Sequence, residues 1–448
     1  MGYKADKTII VNKKLQMTAS KLYEYYLLHP TICTDTRKII SGSLFFALKG
    51  ENYDANKFAS QAIANGAAFV IIDNIAYQTD ERFLLVNDTL LALQELANYH
   101  RKQLDIPIIG LTGSNGKTTT KELILSVLSQ KYKTQATHGN LNNHIGVPLT
   151  LLEIKPNCEI AIVEMGANHQ QEIAHLCEIC QPNFGLITNI GKAHLEGFGG
   201  FEGVKKGKGE LFDYLAKTEG TEFINNNSPL LVEMAAERKF KTVLFYGEDQ
   251  NNFVSGSLIK NDPFLAIEWH FQGEKHTLQS NLTGIYNFEN ILAAIAIGLK
   301  FSLSADEINQ GIANYQPQNN RSQVTKTVNN TVICDYYNAN PSSMMVAIEN
   351  LSKLESPRKV LILGDMFELG EESKAEHQMV LENALLHHFD QVIFIGKEFF
   401  GLESKSEAQF FETTAAAMES LSKKPIKNAL VLLKGSRSMK LEELMDLL

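Results

Sequence analysis

The segment Gly110-Leu-Thr-Gly-Ser-Asn-Gly-Lys-Thr-Thr-Thr-Lys-Glu122 determines how the rest of the sequence is interpreted. It joins a short apolar run, residues 106–111, to a helical pattern with its apolar residues on one face. A strand, a glycine-rich turn and a helix N-terminus, in that order, surround an anion with free backbone N–H groups. The lysine of such a loop can reach the terminal phosphates of a nucleotide, and the next hydroxyl can bind Mg²⁺. The predicted ATP-binding residues of this segment are Gly113, Ser114, Asn115, Gly116, Lys117, Thr118 and Thr119.

The match to the full P-loop pattern is incomplete, because Leu111 stands where that pattern has a glycine. The shorter core Gly113-x-x-Gly116-Lys117-Thr118 also occurs by chance in surface loops. The apolar run before the core and the helical pattern after it favour a phosphate site over a surface loop.

The bulk composition is that of an ordinary globular protein. The chain has 448 residues, of which 44% are hydrophobic and 21% charged. This length is enough for about three domains. The net charge of −9 argues against a nucleic-acid-binding surface, which needs clustered Lys and Arg.

Cysteine use and hydropathy predict a cytoplasmic protein. Five cysteines in this length indicate a reducing compartment. Cys177 and Cys180 have the spacing of a redox or zinc motif, but no second pair accompanies them, so we interpret them as two small residues on one helix face. Lys4, Asp6 and Lys7 precede only a short apolar run, so no signal peptide is expected. The longest apolar stretch, near residues 292–299, is too short for membrane insertion.

Apolar runs and turn signals predict three domains of the α/β class. The first, residues 1–103, contains two predicted strands, at 43–48 and 67–72. The polar stretch 101–107 is interpreted as a possible linker. The last, residues 317–448, has three apolar runs that are each followed closely by a glycine, at 360–363, 392–395 and 430–433.

The central domain, residues 104–316, is predicted to be a doubly wound sheet. Its runs at 160–164 and 185–190 are almost continuously apolar, as parallel strands covered on both faces are. Apolar and polar residues alternate in 253–282, which predicts added antiparallel strands.

Two polar residues follow strands of this central sheet. Glu164 ends the run 160–164, so its carboxylate would face the same crevice as the phosphate loop and could hold Mg²⁺. A solvated glutamate at a strand end is the alternative. His194 lies just beyond the run 185–190, and a lone histidine is more often structural than a ligand.

Three further segments leave two interpretations open. Lys208 belongs to a basic cluster whose ordinary interpretation is a solvated helix face, whereas a buried lysine would have a lowered pKa and a reactive neutral amine. The amide-rich stretch 137–148 fits a polar substrate or an ordinary crossover loop. Asp335 and the asparagines after it suit phosphate, ribose or amide recognition, or an Asx turn that caps the next helix.

Taken together, these motifs resemble those of the Mur ligase family, and within it the MurF type, over almost the whole chain. Any one motif is weak, whereas the combination is specific. The MurF type is indicated by residues 139–148 and by Tyr337-Asn-Ala-Asn-Pro341. The other matching segments are Thr34-Asp-Thr-Arg37, Gly42-Ser-Leu-Phe-Phe-Ala-Leu-Lys-Gly-Glu51, Gly113-Ser-Asn-Gly-Lys-Thr118, Glu164-Met-Gly-Ala-Asn168, Ala193-His-Leu-Glu196, Lys208-Gly-Glu210, Leu363-Gly-Asp-Met-Phe-Glu-Leu-Gly370 and Leu433-Lys-Gly-Ser-Arg437.

The resemblance implies a fold and a reaction. It implies an N-terminal UDP-binding domain, a central P-loop ATPase-like domain and a C-terminal Rossmann-like domain. The implied reaction joins D-alanyl-D-alanine to UDP-N-acetylmuramoyl-tripeptide in peptidoglycan precursor synthesis. ATP would phosphorylate the tripeptide carboxylate, and the dipeptide amine would attack the acyl phosphate. We expect a monomer whose mobile domains close to protect that intermediate from water.

The resemblance also implies residue roles. Thr118 and Glu164 would hold one Mg²⁺, and His194 with Lys208 a second, with Lys208 carboxylated by CO₂. The implied catalytic residues are Lys117, Glu164, His194 and Lys208. The implied nucleotide contacts beyond the loop are Asn290, Arg321 and Asp335, although the family usually has histidine where Tyr286 stands. The implied substrate contacts are Thr34, Asp35, Thr36, Arg37, Asn142, Asn143 and Asn338.

Three other functions compete with this one. The sister ligase that adds the third residue of the peptide usually has Met-Glu-Val-Ser-Ser-His where this chain has Val163-Glu-Met-Gly-Ala-Asn168. Folylpolyglutamate synthases share the ATP loop but usually lack the N-terminal domain. A nucleotide-dependent regulatory module would hydrolyse ATP slowly and ignore any UDP-sugar peptide.

Overall fold

The computed structural model describes residues 17–402 and 407–448. The expectation that no signal peptide is present rests on residues outside these ranges, namely Lys4, Asp6 and Lys7. The chain divides into two compact units. The first contains the chain up to Asp105 together with His144–Lys155 and Glu178–Gln181, and the second contains Ile106–Asn143, Pro156–Cys177 and Pro182–Leu448.

The elements alternate along the chain, as an α/β protein requires. The helices are α1 (Ala19–Leu28), α2 (Ala59–Ala64), α3 (Thr89–Gln103), α4 (Lys117–Leu128), α5 (Gly146–Leu152), α6 (Glu172–Cys180), α7 (Leu195–Phe198), α8 (Phe201–Lys217), α9 (Pro229–Ala236), α10 (Asn287–Lys300), α11 (Ala305–Asn314), α12 (Pro341–Lys353), α13 (Ser373–Leu386), α14 (Lys397–Phe400) and α15 (Thr414–Lys423). The strands are β1 (Ile32–Cys33), β2 (Leu44–Phe46), β3 (Lys49–Gly50), β4 (Tyr53–Asp54), β5 (Phe69–Ile72), β6 (Phe83–Leu85), β7 (Ile108–Thr112), β8 (Thr134–Ala136), β9 (Ile160–Glu164), β10 (Phe184–Ile187), β11 (Thr221–Asn225), β12 (Thr242–Gly247), β13 (Val254–Asn261), β14 (Leu265–Phe271), β15 (Glu274–Gln279), β16 (Gln323–Lys326), β17 (Thr331–Asp335), β18 (Lys359–Gly364), β19 (Gln391–Ile395), β20 (Gln409–Phe411) and β21 (Leu430–Lys434).

The first unit is built on a parallel sheet in the order β1-β2-β5-β6. The strands predicted at 43–48 and 67–72 are confirmed as β2 and β5. The stretch 101–107 differs from a linker at its start, because α3 continues to Gln103 and the Arg101 side chain is buried. Its guanidinium donates to the carbonyls of Cys180 and Gln181, both at 3.0 Å, which accounts for a buried charge at this position.

The second unit contains a large sheet in the order β15-β14-β13-β12-β11-β10-β7-β9-β8. The strands from β8 to β12 are parallel, which confirms the doubly wound prediction. Strand β13 pairs parallel with β12, and the antiparallel strands predicted from residues 253–282 are formed by the pairing of β13 with β14 and of β14 with β15. Strand β7, which leads into the glycine loop, lies between β10 and β9. The register places Leu111 opposite Glu164, so the ends of these strands meet at one edge.

Helix α4 anchors the glycine loop to this sheet. The positions that define its predicted apolar face are completely buried, at Leu123, Ile124, Val127 and Leu128. They belong to the same core as the apolar residues of α10. Burial of each such side chain contributes roughly 1.5 to 3 kcal/mol, so the first turn of α4 is held in a fixed place.

The same unit contains a second sheet in the order β16-β17-β21-β18-β19-β20, parallel apart from the edge strand β16. The three strands predicted between 360 and 433 are confirmed as β18, β19 and β21. Helix α12 starts after β17 because the Asn340 side chain accepts from the Ser343 amide at 2.9 Å and Pro341 suits the first helical position.

No helix within the described ranges has both the length and the apolar composition needed to cross a bilayer.

Candidate nucleotide and metal site

The loop between β7 and α4 has a backbone that only glycine permits. Gly113 has φ +145°, and a Cβ there would overlap the Thr188 hydroxyl. Gly116 has φ +77°, and its Cβ would lie 2.8 Å from Asn290 Oδ1. Positive φ and tight surroundings thus exclude other residues, which supports the phosphate-loop interpretation of this segment.

Side chains and backbone of the segment after β10 hold the loop in place. Ser114 Oγ donates to the Gly191 carbonyl at 3.0 Å and accepts from the Gly191 amide at 2.9 Å. The Asn115 amide donates to Asn189 Oδ1 at 3.0 Å, and the Thr188 hydroxyl donates to the Asn115 carbonyl at 2.6 Å. A loop fixed in this way keeps its concave face organised without rearrangement.

Lys117 is folded back on its own loop. Its ammonium donates to the carbonyls of Gly113 at 2.7 Å and Ser114 at 3.2 Å. Burial lowers its pKa to about 8, an effect that the Glu164 carboxylate opposes and the Arg321 charge reinforces. The lysine is therefore in the predicted loop, with its charge balanced by carbonyl dipoles.

Glu164 is buried at the end of β9, which contradicts the alternative of a solvated strand-end glutamate. Its Oε1 accepts from Thr118 Oγ1 at 3.2 Å and from Asn142 Nδ2 at 2.8 Å. Its Oε2 is buried and has no hydrogen-bond partner. An orphaned carboxylate oxygen beside a threonine hydroxyl is a donor set that suits Mg²⁺. Thr119, the next residue of α4, is also buried.

Lys121 and Thr137 complete the surroundings of Glu164. Thr137 begins the predicted amide-rich stretch, whereas no role was predicted for Lys121. Lys121 is fully buried, with its Nζ 2.6 Å from the Thr137 carbonyl, 2.9 Å from Glu122 Oε1 and 3.9 Å from Glu164 Oε2. The Thr137 hydroxyl accepts from the Glu164 amide at 2.9 Å. The available signal was spacing, since Lys121 stands three residues after Thr118, on the same helix face.

The amide-rich loop contributes Asn142 to the site. Besides its side-chain bond to Glu164, the Asn142 carbonyl accepts from the Gly166 amide at 2.8 Å. Asn143 is exposed. The stretch is therefore more than an ordinary crossover, because one of its amides fixes a carboxylate of the site.

His194 and Lys208 are not assembled into one ligand set. His194 has φ +53° directly before α7, and its Nδ1 contacts Glu368 Oε2. Lys208 donates to the Ala167 carbonyl at 3.1 Å and lies 5.0 Å from the Phe198 ring centroid. Within the described ranges, no hydrogen bond or ion pair links His194 or Lys208 to Glu164, and no three His, Cys, Asp or Glu side chains form a metal-binding group.

The burial of Lys208 decides between its two interpretations. The side chain is only 1% exposed, so the solvated helix face is wrong for this lysine. Burial lowers its pKa well below the usual value, and the Lys117 charge adds to this, while Glu172 and Glu210 oppose it. A low pKa leaves more of the amine neutral and nucleophilic.

The end of β17 and the start of α12 face the glycine loop. Asn340 Nδ2 donates to Asn115 Oδ1 at 2.7 Å, and Ser342 Oγ accepts from the Lys192 amide at 3.0 Å. Asn340 also caps α12, so the Asx-cap interpretation is correct for it. Asn338 is exposed at this edge.

Asp335 and Arg321 lie next to this edge. Asp335 Oδ2 accepts from Lys434 Nζ at 2.6 Å, and its Oδ1 accepts from the Ser322 amide at 3.3 Å. The Arg321 guanidinium lies over the Tyr337 ring at 4.0 Å. Asp335 is therefore the ion-pair partner of Lys434 in this structure. Arg321 is near enough to Lys117 for its positive charge to lower the pKa of that lysine.

Asn290 and Tyr286 stand at the start of α10. Asn290 Oδ1 accepts from Thr120 Oγ1 at 3.0 Å, and the residue is buried beside Gly116. Tyr286 shares a hydrogen bond of 2.8 Å with Ser322 Oγ. Asn290 thus lies beside the glycine loop with its side-chain oxygen bonded to α4, and its implied role as a nucleotide contact stays a prediction.

In the first unit, the residues 34–37 surround a short 3₁₀ turn. Arg37 donates to both carboxylate oxygens of Asp35, at 2.9 Å and 2.8 Å. These bonds lower the pKa of Asp35 to about 2. Thr34 and Thr36, on either side of Asp35, are partly exposed, and Arg37 is exposed.

Comparisons with known proteins agree with this geometry. The model of the Mur ligase middle domain matches residues 111–298, which include the glycine loop, Glu164 and all but the last two residues of α10. The model named Mur ligase, glutamate ligase domain matches residues 320–437.

Three relatives match almost the whole chain. The UDP-N-acetylmuramoyl-tripeptide--D-alanyl-D-alanine ligase of Escherichia coli (strain K12) is 36% identical over 427 residues, which cover 92% of each chain. The crystal structure of MurF from Acinetobacter baumannii superposes with a TM-score of 0.85 at 32% identity, covering 96% of this chain and 98% of that one. MurF of Thermotoga maritima, solved in complex with ADP, gives 0.83 at 27% identity, with 94% and 97% covered.

Proposed function

The chain belongs to the Mur ligase family, MurF type, and from that membership we propose that it joins D-alanyl-D-alanine to UDP-N-acetylmuramoyl-tripeptide with ATP as the energy source. The reaction forms an amide bond in a peptidoglycan precursor. The observation that carries the proposal is the glycine loop with Glu164 beside Thr118, in a chain whose matched segments cover both family domains.

The chemistry follows from the poor reactivity of a carboxylate toward an amine. The terminal carboxylate of the tripeptide takes the γ-phosphoryl group of ATP, giving an acyl phosphate and ADP. The dipeptide amine then attacks the acyl carbon, phosphate leaves with the bonding electrons, and the amine loses a proton. Lys117 and the loop N–H groups stabilise the negative charge that accumulates on the phosphates.

Thr118 and Glu164 are the residues that would hold Mg²⁺ at the phosphates, because their oxygens are adjacent and Glu164 Oε2 is free of hydrogen bonds. When bound, Mg²⁺ reduces the repulsion between the carboxylate and the γ-phosphate. Asn142 keeps Glu164 in the required orientation. Asn290, Arg321 and Asp335 are proposed as further nucleotide contacts.

A second metal position at His194 and Lys208 depends on a chemical change at the lysine. An ammonium or amine group at Lys208 is a poor ligand for Mg²⁺, which prefers oxygen. Reaction of the neutral amine with CO₂ forms an N–C bond and releases a proton, leaving an anionic carbamate with two oxygens. The burial of Lys208 and its lowered pKa support this modification.

The remaining predictions stay part of the proposal. Thr34, Asp35, Thr36 and Arg37 are proposed to contact the UDP-linked substrate, and Asn142, Asn143 and Asn338 the peptide substrates. We retain domain boundaries after residues 103 and 316, a monomeric state and a cytoplasmic location. The five buried cysteines are consistent with that location.

Phosphate release from ATP tests the function. With the purified protein, ATP and UDP-N-acetylmuramoyl-tripeptide, sustained release should begin only when D-alanyl-D-alanine is added, and mass spectrometry should detect the pentapeptide product. Release that ignores both substrates would instead indicate a regulatory ATPase. If single amino acids stimulate phosphate release and the dipeptide does not, the protein would instead be the sister ligase.

A further inference from the structure

Tyr286 connects the helix beside the glycine loop to the segment that joins the two sheets of the second unit. Its hydroxyl shares a hydrogen bond of 2.8 Å with Ser322 Oγ. Tyr286 directly precedes α10, which packs on the large sheet, and Ser322 directly precedes β16, the edge strand of the other sheet. This bond therefore joins two parts of the chain that belong to different sheets.

The start of α10 is fixed relative to the glycine loop. Asn290 Oδ1 accepts from Thr120 Oγ1 of α4 at 3.0 Å, so the two helices are tied together near the loop. Gly284 has φ +95°, and a Cβ there would lie 2.5 Å from the Tyr286 ring. The glycine thus leaves the space that the ring fills, and the position of the Tyr286 hydroxyl is set by the packing around α10.

Ser322 has a backbone conformation that needs support. Its φ is +52° and that of Asn320 is +56°, in the left-handed region that asparagine tolerates and serine seldom adopts. The Ser322 amide donates to Asp335 Oδ1 at 3.3 Å, which is longer than the side-chain bond of Ser322 to Tyr286. We expect this turn to lose its fixed geometry when the Tyr286 hydroxyl is removed.

Arg321 lies between these two residues with positive φ, so their backbone angles set the direction of its side chain. Its guanidinium carbon lies 4.0 Å from the Tyr337 ring centroid, just after the end of β17. Three residues further on, Asn340 Nδ2 donates to Asn115 Oδ1 of the glycine loop at 2.7 Å. Arg321 Nε is buried and, among the described residues, has no hydrogen-bond partner. A buried guanidinium nitrogen without a partner is suited to binding an anion.

We propose that Tyr286 is a positioning residue, which holds Arg321 toward the nucleotide phosphates through its hydrogen bond to Ser322. The inference rests on the proposed function, in which Arg321 is a nucleotide contact, and it adds the residue that orients this arginine. The Tyr286 hydroxyl acts through Ser322, its hydrogen-bond partner, and not by contact with the nucleotide. An arginine that is oriented before the nucleotide arrives loses less side-chain entropy on binding.

Binding of the nonhydrolysable ATP analogue AMPPNP with Mg²⁺, measured by isothermal titration calorimetry, tests the proposal. Tyr286→Phe keeps the ring and removes only the hydroxyl. It should raise the dissociation constant about 3- to 10-fold, the effect of losing one hydrogen bond. Ser322→Ala removes the other partner of this bond and should have the same effect. The double variant should bind AMPPNP no more weakly than either single variant.

A protein that lacks Arg321 gives the sharpest comparison. Arg321→Gln should weaken AMPPNP binding about 10- to 100-fold, because a charge-assisted hydrogen bond is lost. Adding Tyr286→Phe to Arg321→Gln should have no further effect, because the side chain that Tyr286 positions is then absent. A general loss of packing around α10 would instead weaken binding in both backgrounds.

Tyr132→Phe is the matched control. The Tyr132 hydroxyl donates to the Phe301 carbonyl at 2.8 Å, at the opposite end of α10, so this variant loses a similar hydrogen bond away from Arg321. Its dissociation constant for AMPPNP should stay within about twofold of wild type. Thermal unfolding compares the stability of the variants, and Ser322→Ala provides the same test if Tyr286→Phe is unstable.

Three outcomes would overturn the inference. In the first, Tyr286→Phe and Ser322→Ala bind AMPPNP as tightly as wild type. In the second, Tyr286→Phe weakens binding equally with and without Arg321. In the third, Arg321→Gln binds AMPPNP as wild type does. Failure of the proposed function is distinguishable from all three, because the wild-type protein would then not ligate the dipeptide, whatever its affinity for AMPPNP.

Discussion

The two predicted metal positions differ in how completely the fold prepares them. Thr118 and Glu164 already touch each other, with Asn142 fixing the shared carboxylate oxygen. His194 instead contacts Glu368, and Lys208 donates to a backbone carbonyl. The first position needs only the register of β7 and β9, whereas the second needs a chemical change at a buried lysine. The fold therefore assembles the Thr118–Glu164 position directly, whereas the His194–Lys208 position is incomplete until the lysine is modified.

The largest expected effect is at the prepared position. Lys117→Ala and Glu164→Ala should each lower kcat by about 1,000-fold or more, because each removes charge that is needed at the transferring phosphate. Phosphate release with both substrates measures this loss, and circular dichroism checks folding. Near-normal turnover in a folded variant would contradict the phosphate and metal assignment.

The next effect separates the two positions. Lys208→Ala should also lose ligation, and short carboxylates such as acetate or formate should restore part of it by replacing the carbamate oxygens. The same carboxylates should leave the wild-type rate unchanged. In the wild-type protein, ¹³C-bicarbonate should give a carbamate resonance that is absent from Lys208→Ala. A variant that no carboxylate restores, together with a missing resonance, would count against the modification.

A smaller effect is expected at Lys121, which supports the prepared position without belonging to it. Lys121→Met should lower kcat/KM about 10- to 100-fold and raise the Mg²⁺ concentration needed for half-maximal activity, because Thr137, whose hydroxyl accepts from the Glu164 amide, loses the lysine that holds its carbonyl. Lys131→Met is the control on the surface beyond the end of α4, where the lysine donates to the Ser302 carbonyl. An unchanged Mg²⁺ requirement in Lys121→Met would limit its role to folding.

The smallest effect on activity is expected at Glu222, a second buried glutamate in the same sheet. Both of its carboxylate oxygens lack hydrogen-bond partners, and burial raises its pKa well above the usual value. A raised folded-state pKa means that stability is greatest at low pH and falls as pH rises through that pKa. Glu222→Met should raise the free energy of unfolding by roughly 1 to 3 kcal/mol, and therefore also the unfolding temperature. The variant should lose this pH dependence of stability, with ligation unchanged.

Thermal unfolding between pH 5 and pH 9 measures this effect. Glu219→Gln, which removes an exposed carboxylate paired with Lys241, is the control and should behave as wild type does. A Glu222→Met variant that is less stable than wild type at pH 9 would show that the carboxylate has a favourable partner. It would also weaken the contrast between Glu222 and Glu164, whose carboxylate is hydrogen-bonded.

The features that the sequence predicted are those with a local period or a fixed spacing. The strands, the glycine loop and the position of Glu164 beside that loop follow from apolar runs and from residues at strand ends. The burial of Lys208 could not be predicted from its cluster, because it depends on how α8 packs.

Contacts between distant parts of the chain were also beyond prediction. Asn115 and Asn340 are 225 residues apart, and His194 meets Glu368 through the packing of separate elements. Lys121 is an intermediate case, since its helical spacing from Thr118 was visible, whereas its bond to Thr137 required the position of the following loop. Sequence spacing alone therefore does not predict those side-chain contacts that depend on tertiary packing.

A crystal structure with Mg²⁺ and a nonhydrolysable ATP analogue tests the central claim most directly. We expect the triphosphate to lie against the backbone amides of residues 113–118, with a metal ion between Thr118 Oγ1 and Glu164 Oε2. A triphosphate bound elsewhere, with this loop empty, would contradict the account.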